Sequence, residues 1–201
     1  MKKLAFFVFV ILTSNTVISQ RTKAQKDMDD FMVKYNQAAE YEANMESYRK
    51  NINRKFDSIK KIPQDTLSAR FIKLLNQYRL ANGLSSLKLD NHYMKACNWM
   101  TRYMDSCDIL SHDINVNGMK TPWDRLAKFS NNTEHDAYGE VAALTPIFAW
   151  IQSSPDKTVE QIYLDVWLHS PAHKKILLKP GVKVIGVCLS VSRGSALVGY
   201  K

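Results

Sequence analysis

Residues Leu75–Asp90 read LNQYRLANGLSSLKLD, and this stretch sets the organisation of the chain around it. It closes a helix whose apolar stripe begins at Leu67 and continues in steps of three and four residues. Asn82-Gly83 ends that helix, because both residues tolerate the left-handed backbone that follows a last turn. Asp90 then caps a second helix by accepting hydrogen bonds from its first amides. The stretch therefore predicts two successive helices separated by a short connection.

The rest of the domain alternates between helical and strand patterns. The predicted segments are a helix capped by Asp65 or Thr66, a helix from Asp90, loops over 111–120 and 131–136, a helix over 121–129, a strand over 139–151, a helix from Asp156 or Thr158 to His169, a helical turn from Pro171, and strands over 182–191 and 196–200. The last two strands flank a turn at Ser192–Ser195, which is a hairpin signal. Helices and antiparallel strands in this order indicate an α+β layered domain.

The first 19 residues have the pattern of a secretory signal peptide. Lys2 and Lys3 precede the apolar run Leu4–Leu12, and Val17 and Ser19 occupy the −3 and −1 positions of a cleavage site. Nine apolar residues are fewer than the ~20 that span a bilayer. We therefore expect a secreted or periplasmic protein with no stable membrane span after cleavage.

Residues 20–62 contain neither glycine nor proline, and an apolar residue recurs at every seventh position. The row consists of Phe31, Ala38, Met45, Ile52 and Ile59. This spacing predicts a helix. A helical arm packed against the main domain and a short self-associating helix both fit the pattern. Residues 63–201 hold all four tryptophans and form the domain, which is long enough to bury a core without disulfides.

Composition and charge exclude several classes of protein. The chain is 45% apolar and 23% charged, as in an ordinary globular protein. The formal charge of +9 falls to +7 without Lys2 and Lys3, and its signs are mixed rather than clustered, which argues against a nucleic-acid-binding face. The sequence has no glycine-rich loop ending in Lys-Ser/Thr and no G-x-S-x-G elbow, so nucleotide binding and α/β-hydrolase chemistry are both unsupported.

Three cysteines are too few for a dense disulfide scaffold. Cys97 and Cys107 share one predicted helix, ~15 Å apart, whereas a disulfide needs Cα atoms within ~7 Å. Pairing of Cys188 with either remains open. We favour buried free thiols, because small buried cysteines behave as hydrophobic residues.

Four of the five histidines fall between residues 112 and 173, namely His112, His135, His169 and His173. Imidazole is the usual protein ligand for zinc, and a nearby carboxylate such as Glu140 can be a third ligand or take a proton from bound water. His135 lies in a polar loop, and we interpret it as a surface residue.

Six short motifs, in register over residues 66–201, resemble the CAP superfamily of cysteine-rich secretory, antigen 5 and pathogenesis-related 1 proteins, in its bacterial SCP-like branch. They are the opening stretch quoted above, Ser111-His112, Thr121–Leu126 (TPWDRL), Gly139-Glu140, Trp167–Lys174 (WLHSPAHK) and Ile185-Gly186-Val187.

The resemblance implies an α-β-α sandwich with a central antiparallel sheet, here preceded by a helical N-terminal arm. It also implies a cleft where two histidines meet acidic residues and where some members bind a divalent metal. By motif, His112, Glu140 and His173 carry over to that cleft. Ser170 stands where many eukaryotic members have a second acidic residue, which leaves fewer carboxylates.

His169 and His173 have the i, i+4 spacing of a helical metal-binding pair. Pro171 lies between them, so the two rings need not share one face. We keep His169 as an additional candidate ligand beside its simpler interpretation as a helix-end residue, where a cation suits the helix dipole. Trp123 and Trp167 are candidate lining residues of an apolar ligand cleft, although buried core positions are the simpler expectation for the tryptophans.

The leading hypothesis is a secreted, non-enzymatic module. His112 and His173 bind a divalent metal, Zn²⁺ foremost, with Glu140 as a third ligand or as an acceptor behind the histidine. A lipid- or sterol-like ligand or a protein partner occupies the neighbouring groove. The first alternative is a metal-dependent peptide or ester hydrolase in which Glu140 is the base. The second is a structural or adhesion protein that acts through the helical arm.

Overall fold

The computed structural model describes residues 2–130 and 137–200. The helices are α1 Lys2–Lys60, α2 Gln64–Ala81, α3 Asn91–Cys107, α4 Pro122–Ser130, α5 Ile147–Ser153, α6 Val159–His169 and α7 Pro171–Leu177. The strands are β1 Lys88–Leu89, β2 Ala137–Leu144, β3 Val184–Leu189 and β4 Arg193–Gly199. The chain divides into two units, residues 1–51 and 52–201. The predicted loop at 131–136, with His135, lies outside the described residues.

One four-stranded sheet runs through the second unit in the order β1-β3-β4-β2. Strands β2, β4 and β3 pair antiparallel, and the two-residue β1 adds to β3 in parallel. The predicted turn at Ser192–Ser195 is wrong, because Arg193 already pairs with Leu144 as the first residue of β4. The tight connection is instead held by the Ser190 hydroxyl, which accepts from the amides of Ser192 and Arg193.

Alternating side chains of the sheet face two different layers of helices. Ile185 and Val187 of β3 belong to the main core cluster with residues of α2 and α6, including Phe71 and Trp167. Cys188 faces the other side and packs with residues of α3. This arrangement confirms the expected α-β-α sandwich, in which sheet residues alternate between the two faces.

Gly186 allows α3 to lie directly on the sheet. A Cβ atom at this position would come within 2.1 Å of the carbonyl carbon of Tyr93 in α3. Any other residue would therefore push α3 away from β3, and only glycine permits this close backbone approach. The Ile-Gly-Val motif owes its glycine to packing rather than to a site.

Side-chain caps fix two of the predicted helix starts. Asp90 accepts hydrogen bonds from the amides of His92 and Tyr93. Thr158 and Gln161 form a reciprocal capping box at the start of α6. The expected cap of α2 at Asp65 or Thr66 is wrong: α2 begins at Gln64 directly after Pro63, which provides a fixed backbone but no side-chain hydrogen bond.

The predicted strand over 139–151 is also wrong in its second half. Strand β2 ends at Leu144, and α5 starts at Ile147 after Pro146. Pro146 cannot donate a hydrogen bond to a sheet ladder, so it separates the two elements. The apolar character of both segments is genuine, since Ile147 and Ile151 are fully buried.

Helix α1 carries the predicted apolar row. Ile52 and Ile59, in the second unit, are buried in the main core cluster. Upstream, Phe31 is 60% exposed. Within the part of the chain that the structure describes, no helix combines the length and apolar character needed to span a bilayer. Cleavage after Ser19 stays a prediction.

All three cysteines are free thiols. Cys97 and Cys107 lie in the single continuous helix α3, as expected. Cys97 and Cys188 are buried, but Cys107 is exposed, which corrects the expectation that all three are buried.

Candidate functional site

The site is built on a buried ion pair between α4 and β2. The Nη2 atom of Arg125 lies 2.9 Å from both carboxylate oxygens of Glu140. The Arg125 side chain is fully buried and that of Glu140 is only 3% exposed. A charge this deeply buried is tolerated only when it is paired and hydrogen bonded. Arg125 therefore fixes the position of the Glu140 carboxylate.

Arg125 also holds the loop that carries His112. Its guanidinium donates hydrogen bonds to the main-chain carbonyl oxygens of His112, Met119 and Lys120, at 3.2–3.4 Å. The 108–121 connection has little regular structure of its own, so these bonds give it a fixed course. One buried arginine thus sets both the carboxylate and the backbone of the histidine beside it.

The His112 ring completes this arrangement. Its Nδ1 atom lies 3.0 Å from Oε2 of Glu140. Since an ionised carboxylate only accepts, Nδ1 is the nitrogen that donates, and Nε2 carries the free lone pair when the ring is neutral. The hydrogen bond to Glu140 raises the pKa of His112 above its usual value, against the opposing effects of burial and of the Arg125 charge.

His173, the second histidine of the predicted pair, lies on α7. Pro171 at the start of α7 begins this new helix after Ser170. The Nδ1 atom of His173 is buried and has no hydrogen-bond partner among the described residues. Burial lowers the pKa of His173, and the charge that His112 carries when protonated lowers it further.

These donors are few for a divalent metal. Among the described residues, no group of three or more histidine, cysteine or acidic side chains is arranged to hold a metal ion. Two imidazole nitrogens remain as donors, namely Nε2 of His112 when its ring is neutral and the buried Nδ1 of His173, which has no partner among the described residues. Both oxygens of Glu140 already accept hydrogen bonds, so its carboxylate suits an acceptor behind His112 better than a direct ligand.

The other predicted site residues lie elsewhere. His169 is the last residue of α6, is exposed, and bonds through Nδ1 to the carbonyl oxygen of Asp165 in its own helix at 2.7 Å. Trp167 is fully buried and packs edge-on against Phe71, with ring centroids 5.3 Å apart, so it lines the core and not a cleft. Trp123 is 46% exposed, which corrects its expected core position.

Arg125 is the residue that sequence reasoning missed. The sequence interpretation placed Arg125 in the TPWDRL motif and assigned no role to it. The available signal was its position on α4, because Pro122, Arg125 and Leu126 form the buried face of that short helix. A charged residue on an apolar stripe calls for a buried partner of opposite charge.

The comparisons with known proteins agree with this fold. The model of the cysteine-rich secretory protein family, CAP, matches residues 72–199. This chain belongs to the CAP family. The matched range of the CAP domain contains Arg125, Glu140 and both histidines of the pair.

Two solved structures share the CAP fold at low sequence identity. An extracellular protein of Bacillus anthracis containing an SCP domain is 20% identical, with a TM-score of 0.56 over 69% of this chain and 41% of that one. An outer surface protein of Borrelia burgdorferi is 16% identical, with a TM-score of 0.53 over 70% of this chain and 96% of that one. The CAP chain thus spans about two fifths of the Bacillus protein. No curated protein is significantly similar to it in sequence.

Proposed function

We propose that this chain is an extracellular, non-enzymatic CAP module that binds a divalent metal, Zn²⁺ foremost, between His112 and His173. The observation that carries the proposal is the hydrogen bond from His112 Nδ1 to Glu140. A carboxylate that accepts from one imidazole nitrogen fixes the tautomer and aims the other nitrogen at a metal. The metal would act as a structural or ligand-bridging centre.

The electrostatics of His173 favour a neutral, metal-binding ring. One nitrogen of His173 is buried without a partner in the described structure, and its pKa is lowered. Neutral imidazole is the form that binds metals. Two nitrogens from the protein leave positions for water or for a group of a bound molecule.

A second molecule would contact the exposed surface of α4. Trp123 is half-exposed on α4, and its Nε1 donates to the carbonyl oxygen of Ala137 at the start of β2. This fixed, exposed indole ring is a suitable contact for an apolar ligand, such as a lipid or sterol, or for a protein partner. The extracellular location is supported by the leader-like first 19 residues and by the two similar proteins, one extracellular and one on the outer surface of its cell.

The hydrogen bonds that Glu140 already accepts argue against the hydrolase alternative, in which Glu140 would be the base. A general base must accept a proton from bound water. Both oxygens of Glu140 accept from Arg125, and Oε2 also accepts from His112. Turnover of peptide or ester substrates that depends on both metal and Glu140 would establish the hydrolase instead.

Calorimetric titration with Zn²⁺ tests the metal assignment. The double variant H112A/H173A should lose measurable binding, because both proposed ligands are removed. Glu140→Gln should weaken binding by about 10- to 100-fold, the usual effect of changing the group behind a ligand. The matched control is His92→Ala, which removes an exposed imidazole on α3 and should leave affinity unchanged. Unchanged affinity in the double variant would overturn the assignment.

The same titration separates His169 from the pair. His169→Ala should bind Zn²⁺ as the unaltered chain does, since the His169 ring is bonded to its own helix. A loss comparable with that of His173→Ala would make His169 a ligand.

A further inference from the structure

A basic groove lies beside the C-terminal half of α7. It encloses about 480 Å³. One wall is formed by α7 and the residues after it, and the other by the tyrosine of β2; the lining includes Tyr138, Pro171, Lys174, Lys175, Leu178 and Lys179. No acidic residue is among the described residues that line it. The charged residues in its described lining are therefore all lysines, set among neutral and apolar side chains.

A β-bulge places Tyr138 in this groove. The pairing of β2 with β4 shifts register between Ala137 and Gly139, so Tyr138 is the extra residue. Bulges break the alternation of side chains along a strand and redirect them. The Tyr138 ring lies under the ammonium group of Lys179, 4.9 Å from its nitrogen, and edge-on to Tyr200.

Within residues 2–130 and 137–200, the lysines of the groove have no acidic partner. Among the described residues, no carboxylate forms an ion pair with Lys174, Lys175 or Lys179. Lys174, Lys175 and Lys179 are close in sequence, with Lys179 just beyond the last residue of α7, Leu177, and their like charges repel. Contacts with tyrosine rings relieve this only in part, through Lys179 on Tyr138 and Lys174 on Tyr78.

Stabilisation of the helix end does not account for these charges. Lysines near a helix C-terminus commonly interact with its last carbonyl groups. Here the buried Arg79 already donates to the carbonyl oxygens of Leu177, at 2.6 Å, and Lys179, at 3.4 Å. Arg79 has no carboxylate partner among the described residues either, so four positive charges meet at one helix end.

We propose that Lys174, Lys175 and Lys179 bind a phosphate group in this groove, beside Tyr138. A phosphate carries up to two negative charges and three accepting oxygens, which match three separate ammonium donors. Lysine binds such a group as a point charge from several directions, whereas a single carboxylate is better matched by the planar fork of arginine. The free phosphate ion and the phosphate of a larger molecule share this chemistry.

The first test is an NMR titration of the full chain with sodium phosphate at constant ionic strength, in buffer containing EDTA. The expected result is a saturable shift of the amides of residues 138 and 174–179. Chelation of metal makes the result independent of the proposed Zn²⁺ site, so either proposal can fail alone. Absence of saturable shifts at these amides would overturn the phosphate site.

Two variants with the same loss of charge distinguish phosphate binding at this site from general electrostatic attraction. The variant K174Q/K175Q/K179Q should weaken phosphate binding by at least about tenfold, as expected when charged hydrogen bonds are lost. The control K88Q/K95Q/K128Q removes the same charge from exposed lysines elsewhere and should change binding less than about twofold. Equal weakening in both would show a diffuse charge effect and contradict the proposal.

Two further probes identify the source of the phosphate. Glycerol 3-phosphate in the same titration represents a small phosphate ester, and sedimentation with phosphatidylglycerol vesicles represents a lipid headgroup. Lysine-dependent binding of either one supports the site and names its source. Vesicle binding that K174Q/K175Q/K179Q retains, without any response to free phosphate, would overturn it.

Discussion

Arg125 and Glu140 form a buried pair in which one guanidinium nitrogen lies 2.9 Å from both carboxylate oxygens. This pair connects α4 to β2. It also holds His112, because Glu140 bonds to the His112 ring and Arg125 donates to the His112 carbonyl oxygen. The stability of the domain and the orientation of the candidate site therefore depend on the same contact.

Replacement of Arg125 should destabilise the domain strongly. Arg125→Met leaves the Glu140 carboxylate buried without its cation, which typically costs about 3–5 kcal/mol of unfolding free energy. The double variant R125M/E140L removes both charges and should recover part of this loss. Recovery stays partial because the loop carbonyl groups of residues 112, 119 and 120 still lose their donor. Urea unfolding measures both values, and equal stability of Arg125→Met and the unaltered chain would contradict the role of the pair.

The two histidines should titrate on opposite sides of the ordinary imidazole pKa of about 6.5. Glu140 raises the pKa of His112, and burial lowers that of His173. NMR titration of the imidazole Cε1–H signals in metal-free buffer reads both values directly. Glu140→Gln should lower the pKa of His112. A His112 signal that titrates at or below 6.5 in the unaltered chain would show that its hydrogen bond to Glu140 is absent in solution.

The raised pKa also gives His112 a defined effect on stability. A group whose folded pKa lies above its unfolded value stabilises the fold fully below about pH 6.5, and this contribution is lost as pH rises through the folded pKa. His112→Asn should therefore lower the unfolding free energy more at pH 6 than at pH 8.5. The difference should stay below about 1 kcal/mol, because about half of the side chain (48%) is exposed. The opposite pH dependence would contradict the pairing.

Substitutions in the apolar row of α1 should differ sharply in how much they lower the free energy of unfolding. Ile59→Ala removes a side chain from the main core cluster and should cost about 2–4 kcal/mol. Phe31→Ala changes an exposed residue of the same row and should stay within about 0.5 kcal/mol. Thermal or urea unfolding compares the two. A large loss for Phe31→Ala at micromolar protein would reveal a partner covering this part of α1.

The thiols should react unequally. Cys107 is exposed, whereas burial raises the pKa of Cys97 and brings that of Cys188 to about 12. One equivalent of thiol should react rapidly with a disulfide reagent in the native chain, and three after unfolding. The Cys107→Ser variant should abolish the rapid phase. Fewer than three thiols after unfolding without reductant would indicate a disulfide.

Local chemistry explains which parts of the fold could be predicted. Asp90 and Thr158 act on amides two or three residues away, so their caps are visible in the sequence. The end of β2 before Pro146 has an equally local cause. It was missed because Pro146 lies inside an apolar run, and apolar runs do not distinguish a strand from a short helix. The hairpin turn was misplaced because Gly194 is a strand residue, packed against the ring of Tyr163, rather than a turn glycine.

The candidate site was predictable only in part, because its contacts are distant in the chain. His112, Glu140 and His173 came from motif resemblance. The Arg125–Glu140 pair joins two elements 15 positions apart, and the bulge at Tyr138 depends on the register of β2 against β4. Neither relationship produces a periodic pattern of residues from which it could be predicted. Trp167 shows the same limit, since its burial between Phe71 and Tyr163 is decided by the packing of α2 against α6.

Binding of one divalent metal by His112 and His173 together can be observed in crystals of the full chain grown with Zn²⁺ and measured on both sides of the zinc absorption edge. We expect an anomalous peak about 2.0–2.1 Å from one ring nitrogen of each histidine, with His112 Nδ1 still bonded to Glu140. A peak absent from this position, in crystals that hold zinc elsewhere or nowhere, would contradict it.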